Sequence, residues 1–299
     1  MRTYLDCIPC FFKQALEAAR LAGASPKEQR DVINHVARKL PFFPLSASPP
    51  AMGKIVYGGV RKITKKADPY KFIKAKSNLL ALRLYKTLKS KVSRSGDRLL
   101  KAVELAIAGN IIDYGVKNSL NVEKELKKIL NQEDKIIKTE SARLFNYREF
   151  RKALKKTGDV LYLGDNAGEI VFDRILIEEI VKMYPDKKII YAVKEKPVIN
   201  DALAEDAYFC GIDRTARIIS SGLDVPGTIL SFCSKSFLNI YKKAGMIISK
   251  GQGNFEALSE EKRPIFFLFM AKCPVVARDI KSKVGDIILF YNKKDKRNV

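Results

Sequence analysis

Tryptophan is absent from this 299-residue chain, and histidine occurs once, at His35. A single imidazole largely excludes histidine-dependent triads and His-rich zinc sites, so a metal here must be held mainly by oxygen. His35 falls in a helical stretch away from every motif and reads as structural or exposed. Cysteine is sparse and odd in number: Cys7, Cys10, Cys210, Cys233 and Cys273 are too scattered for a disulfide framework and suit a reducing compartment. Long apolar runs are also missing. The longest, such as Ile265 to Ala271, fall well short of a bilayer span. The start, Met1-Arg2-Thr3-Tyr4-Leu5-Asp6-Cys7, has no apolar segment followed by a cleavage site. A cytoplasmic protein without membrane contact is expected.

Acidic residues are in deficit, 33 against 56 lysines and arginines, giving a formal charge of +23. Such an excess attracts polyanions. Yet no recognisable nucleic-acid module accompanies it, so the lysines read as a solvating surface rather than a nucleic-acid site. Scarce glutamine, at positions 14, 29, 132 and 252 only, adds a weak heat-adapted signature. A basic surface also draws in phosphorylated metabolites. Length and an ordinary 46% hydrophobic content allow a sizeable core in one large domain or two.

The pattern divides near residue 150. Helical periodicity covers Phe11 to Leu21, Glu28 to Lys39, Tyr70 to Leu88, Arg98 to Tyr114 and Val122 to Ile129. The Pro/Gly/Ser-rich stretch Pro41 to Gly59 reads as a loop. From Asp159, short β-branched runs alternate with amphipathic stretches. Strands are expected at Val160–Leu163, Lys188–Val193, Arg217–Ser220, Met246–Ser249, Val275–Ala277 and Ile287–Tyr291. Helices are expected at Ile170–Met183, Asp201–Cys210, Thr228–Ala244 and Glu256–Ala271, although Phe266-Phe267 in the last also suits a strand. The expectation is an α/β protein: a mainly helical domain over 1–150 and a doubly wound, mostly parallel sheet over 151–299. The lysine-rich tail Lys293 to Val299 reads as disordered.

Three strand ends carry unusual polar groups. Leu161-Tyr162-Leu163-Gly164-Asp165-Asn166-Ala167-Gly168-Glu169 breaks from an apolar run into a carboxylate and an amide, with Glu169 and Asp173 following at helical spacing. Lys194-Glu195-Lys196-Pro197-Val198-Ile199-Asn200-Asp201 follows the second strand. Lys250-Gly251-Gln252-Gly253-Asn254-Phe255-Glu256 follows Met246–Ser249. Neighbouring strand ends of a parallel sheet meet at one crevice. Asp165, Asn166 and Asp201 would there offer hard oxygens to a divalent cation such as Mg²⁺ or Mn²⁺. Lys250 would offset phosphate charge, and Gly251 and Gly253 would let the backbone approach an anion. Each piece has a plainer reading: Asp165 and Asp201 as helix caps, Gly251-Gln252-Gly253 as an ordinary turn. Cys7-Ile8-Pro9-Cys10 opens a helix without a βαβ context or a second cysteine pair, and reads as buried thiols or as a pocket neighbour. Asn110 and Asp113 share a helix face, serving either a core hydrogen bond or the pocket.

Together these segments resemble the damage-control phosphatases. Further points of resemblance are Asp68-Pro69-Tyr70, Ala108-Gly109-Asn110-Ile111-Ile112-Asp113 and Lys272-Cys273. The Cys-x-x-Cys, Gly253-Asn254-Phe255-Glu256 and Lys272-Cys273 signatures resemble those of subfamily I, so the resemblance spans nearly the whole chain. It implies a helical N-terminal portion joined to a Rossmann-like core, and metal ligands at Asp165, Asn166 and Asp201. It further implies a phosphate contact at Lys250 and activity with Mn²⁺, Co²⁺, Ni²⁺ or Mg²⁺. Glu169 and Asn254 are expected to join Lys250, Gly251 and Gly253 in binding the substrate phosphate, and Phe255, Glu256, Lys272, Cys273, Cys7 and Cys10 would surround the pocket. The expected substrate is a small phosphorylated metabolite, damaged or a side product. A metal-oriented water, with Asp165 or Asp201 as base, and an Asp165 phospho-intermediate are both open routes. The rival classes are a basic nucleic-acid binder and a non-hydrolytic Rossmann-like metabolite-binding or methyl-transferring protein. The second lacks Gly-x-Gly-x-x-Gly after the first α/β strand.

Overall fold

The computed structural model describes residues 1–110, 112 and 143–292. Its centre is a six-stranded sheet of Asp159–Leu163 (β1), Lys188–Val193 (β2), Arg217–Ser220 (β3), Met246–Lys250 (β4), Phe266–Met270 (β5) and Ile287–Tyr291 (β6). The order is β3-β2-β1-β4-β5-β6, parallel except for β6, which runs antiparallel to β5. This is the doubly wound order, in which the winding reverses between β1 and β4 and opens a crevice at their carboxyl ends. β4 is buried along its whole length and β1 at all but its first residue. Continuous apolar runs of this kind belong to strands covered on both faces.

Alternation sends successive side chains to opposite faces. Val160, Tyr162, Ile248, Phe266 and Leu268 enter one apolar cluster, whereas Leu161, Leu163, Ile247, Phe267 and Phe269 enter another. Helices cover the first face: Lys71–Ser93 (α4) and Arg98–Ala108 (α5) pack on Glu169–Met183 (α7), and Tyr147–Lys156 (α6) adds Phe150 and Leu154. Ala204–Phe209 (α8) adds Ala207 to the same face near its edge, whereas Lys235–Lys243 (α9), Gln252–Leu258 (α10) and Pro274–Asp279 (α11) lie on the second face after their strands. Phe237, Tyr241, Phe255 and Val276 supply apolar surface there.

A third cluster joins Ile8–Leu21 (α1), Pro26–Lys39 (α2) and Pro49–Thr64 (α3) through Ala15, Ala18, Val32, Val36, Met52 and Val56. Ser25 and Glu28 close a capping box at the start of α2. α3 also packs against α10, which brings this helical layer over the carboxyl edge of the sheet.

Four expectations need correction. Pro41 to Gly59 is largely α3 rather than loop, because Pro49 and Pro50 occupy the first helical positions, where proline presets φ and no N–H is needed. Its glycines are packing devices: a Cβ on Gly53 would run into the Pro226 ring, and one on Gly59 would meet His35. Val275–Ala277 is the helix α11, with proline at its first position and the Cys273 sulfur facing the Val276 N–H at 3.5 Å. Glu256–Ala271 splits into the end of α10 and the strand β5, whose aromatics fill both sheet faces. Of Thr228–Ala244 only Lys235–Lys243 is α-helical, after a short 3₁₀ turn at Leu230–Phe232. No helix was expected where α6 lies. The expected helix Val122–Ile129, the end of Arg98–Tyr114 and the tail Lys293–Val299 lie outside the described residues.

The close seating of α3 is testable. Gly58 has open space where a Cβ would go, so Gly58→Ala should raise unfolding stability by about 0.5–1 kcal/mol through helix propensity. Gly53→Ala should instead destabilise, by about 1–3 kcal/mol from overpacking against Pro226. Equal effects in urea titrations would contradict that packing.

Candidate functional site

A cleft of about 270 Å³ opens at the carboxyl edge, where the β1, β2 and β4 turns meet α1 and α3. Its wall includes Asp165, Asn166, Asn200, Asp201, Gly227, Gly253, Glu256 and Lys272, with Phe11, Gln14 and Pro50 from the helical layer. Two reciprocal backbone bonds tie its central turns together: Ala167 N–H donates to Asn200 O at 2.9 Å, and Ala202 N–H donates to Asp165 O at 2.8 Å. The Asn166–Asp201 bridge places these residues side by side although they are far apart in sequence.

Beneath the turns lies a buried charge nest. Lys250 is 1% exposed, with Nζ 2.7 Å from Asp173 Oδ1 and 3.5 Å from Glu169 Oε2. Tyr162 and Tyr191 donate their hydroxyls to the two Asp173 oxygens at 2.8 and 2.7 Å. Glu169 Oε1 accepts from Asn166 Nδ2 at 2.8 Å, and the same nitrogen reaches Asp165 Oδ2 at 3.0 Å. The amide is thereby oriented from below. Asn254 staples the third turn, donating to Lys250 O at 2.7 Å and Gly164 O at 3.2 Å while accepting from Thr228 at 2.7 Å. Gly251, at φ +80°, has no room for a side chain because the Asp165 carboxylate occupies that space.

The carboxylates on the cleft are short of compensation. Burial, then the neighbouring charges of Glu169 and Asp201, push the Asp165 carboxyl well above its usual range, against the pull of Lys272 and Lys250. Asp201 is also raised, by burial first, with Lys194 opposing. The Lys194 ammonium lies 3.4 Å from Asp201 Oδ2, in a geometry that leaves this buried oxygen without a hydrogen bond. Such an oxygen beside a second crowded carboxylate and an amide fits a hard divalent cation. Among the described residues, no three of His, Cys, Asp and Glu form a metal-holding group.

Several candidate residues fall elsewhere than sequence reasoning expected. Lys250, Glu169 and Asn254 are enclosed in the nest and are not among the residues that line the cleft. Lys272, exposed on the cleft wall, is the lysine that faces it. Phe255 is a core side chain stacked on Phe269. Cys7 caps α1 and its thiol is held up by burial, then by Glu256 and Cys273 nearby, which disfavours the nucleophilic thiolate. Cys10 is exposed and accepts from Gln14 at 3.3 Å, and Cys273 takes Gln252 at 3.5 Å. The cysteines therefore neighbour cleft residues without lining the cleft. Asn110 is buried just beyond α5, away from the cleft wall, and Asp113 lies outside the described residues.

The arrangement also rests on residues that periodicity conceals. Asn78, in the middle of α4, accepts from Gly168 N–H and donates to Asp206 Oδ1, both at 2.7 Å. Asp206 takes Leu203 N–H at 2.9 Å, and Lys74 pairs with Asp68 at 2.8 Å close by. One amide thus braces the turns that carry Asp165 and Asp201.

A profile of the damage-control phosphatase ARMT1-like domain matches residues 3–288. The chain belongs to this family. Relatives span its length: a protein of Pyrococcus horikoshii named damage-control phosphatase PH1575 is 34% identical over 98% of this chain and 99% of its own. An uncharacterized Methanocaldococcus jannaschii protein, MJ0202, is 39% identical over 95% of this chain and 94% of its own. A damage-control phosphatase of Archaeoglobus fulgidus is 35% identical over 78% and 79%. The crystal structure of PH1575, described as a DUF89 family protein, superposes with a TM-score of 0.86 at 32% identity, covering 98% of this chain and all of that one. The α/β fold and the family are thus the same finding reached twice. No described helix is long and apolar enough to cross a membrane.

Two substitutions test the bracing. Asn78→Ala strands the Gly168 N–H and an Asp206 oxygen, and should cost about 1–3 kcal/mol in urea unfolding. Lys250→Met leaves buried carboxylates uncompensated and should cost about 3–5 kcal/mol. A Lys250→Met protein of wild-type stability would refute the nest.

Proposed function

We propose that the chain is a metal-dependent phosphatase acting on small phosphorylated metabolites, damaged or side-product forms included. The observation that carries this reading is the cleft itself, where two pKa-raised carboxylates, an oriented amide and a cleft-facing lysine converge at the winding reversal. Family membership supports it, since two of the relatives are named damage-control phosphatases. Asp165, Asn166 and Asp201 would hold a divalent cation of the Mn, Co, Ni or Mg kind. When bound, it would polarise a phosphoryl oxygen and lower the pKa of water.

The chain's own groups do the rest. Lys272 and the backbone at Gly253 receive the phosphate, a role the sequence suggested for Lys250. Lys194, held by Asp201 and by the Gly227 carbonyl, balances charge from below. Glu169 and Lys250 keep Asn166 and Asp165 in register. Phe11, Pro49 and Pro50 cover the cleft and reduce access of bulk water. Asp165 or Asp201 accepts the proton of the attacking water. The domain division near residue 150 and a cytoplasmic location belong to the same proposal.

The test is hydrolysis of phosphate monoesters with each divalent ion in turn. Wild-type turnover should need the ion and vanish with EDTA. Asp201→Ala should lose about 10³-fold, in line with the several kcal/mol a metal ion contributes. It should also lose the thermal shift that Mn²⁺ gives wild type. Turnover equal to wild type in Asp201→Ala would defeat the site.

A further inference from the structure

We infer that Glu256 is the acid that protonates the leaving oxygen in this cleft. The inference rests on the phosphatase reading above and goes beyond it. Asp165, Asn166 and Asp201 belong to the β1 and β2 turns, and Glu256 enters the same cleft from α10, behind β4 on the other side of β1. An ester bound in the cleft then has the proposed cation ligands on one side and, on the other, the Glu256 carboxyl beside Lys272 and Gly253.

The Glu256 side chain is aimed rather than loose. Gln252, one turn earlier, donates to its Oε1 at 2.8 Å. The Gln252 carbonyl is in turn fixed by Lys272 N–H at 2.8 Å, and its amide reaches Cys273 sulfur at 3.5 Å. The glutamine therefore locks α10 to the turn after β5. The Gln252 bond engages Glu256 Oε1, and Oε2 is the oxygen assigned to the substrate.

The surroundings favour the protonated form. Burial pushes the Glu256 carboxyl up to about 7, opposed by the Gln252 hydrogen bond, the Met1 ammonium and Lys272. Cys7 and Cys10, near the start of α1, lie close enough to feel its charge, and their thiols are pushed up chiefly by burial. Asp165 and Asp201 share its cleft. An acid poised near neutrality suits proton donation to an alkoxide. In the step, the water oxygen bonds to phosphorus and its proton passes to Asp165 or Asp201. The phosphorus–ester bond breaks, its electron pair moves to the ester oxygen, and that oxygen takes the Glu256 proton. Alcohol and inorganic phosphate leave, and solvent returns the proton from the aspartate to Glu256.

The test uses the full chain with Mn²⁺ and two esters: ethyl phosphate, whose leaving group needs a proton, and p-nitrophenyl phosphate, whose leaving group does not. Glu256→Gln should lower kcat for ethyl phosphate by about 10²-fold or more while changing p-nitrophenyl phosphate hydrolysis little. The fall of wild-type ethyl phosphate activity above pH about 7 should disappear in the variant. Gln252→Leu removes the bond that lowers the Glu256 pKa, so the same fall should move to higher pH. Equal losses on both esters, no loss on either, or a basic limb that survives in Glu256→Gln overturns the acid role and leaves the phosphatase reading standing. Wild-type protein inert toward both esters with every divalent ion overturns both.

Discussion

One buried ammonium organises the carboxyl edge of this sheet. Lys250 ends the most enclosed strand, and nothing but protein surrounds its charge. Such a group is tolerable only with compensating carboxylates in contact. Asp173 and Glu169 supply them from α7, and two tyrosine hydroxyls complete the shell around Asp173. Because Glu169 also accepts from Asn166, the arrangement that satisfies Lys250 fixes the amide above it. The position of the cleft oxygens thus follows from electrostatic satisfaction in the core, one layer below.

The second ordering element is the reciprocal pair of backbone bonds between residues 165–167 and 200–202. It makes the β1 and β2 turns one unit, whereas the β4 turn joins through the Asn254 side chain and the Gly251 contact. The cleft therefore has two chemically different sides. One concentrates carboxylate and amide oxygen under restraint. The other presents Lys272, Gly253 and Glu256 on a helix and turn cross-linked by Gln252.

The alternating half of the sequence revealed the winding and the three strand ends, because period and polar interruptions survive without tertiary information. Asp165, Asn166 and Asp201 were legible for that reason and meet on one wall. Lys250 was assigned to the phosphate because a lysine after an apolar strand looks like a group reaching for an anion, whereas its ammonium is enclosed beneath the cleft. Its burial depends on Asp173, whose partner is set by helix placement. Asn78 was invisible for a related reason: its two partners lie about a quarter of the chain away or more. α3 was hidden by composition, since its prolines and glycines serve the helix start and close packing rather than a turn. Val275-Val276 carries β-branched character, but Pro274 beside it sets a helix start.

The mouth of the cleft has one feature with evolutionary reach. Gly227 carries φ +64°, and its Cα presses so closely on the Gly253 carbonyl that no side chain fits between them. Gly53 stands in the same relation to Pro226. On this rim the aperture is set by main chain and ring atoms, and point substitution cannot trim it. Refitting this mouth to another ligand therefore falls to side chains such as Phe11, Gln14 and Ile199, the adjustable jamb of an otherwise rigid doorway.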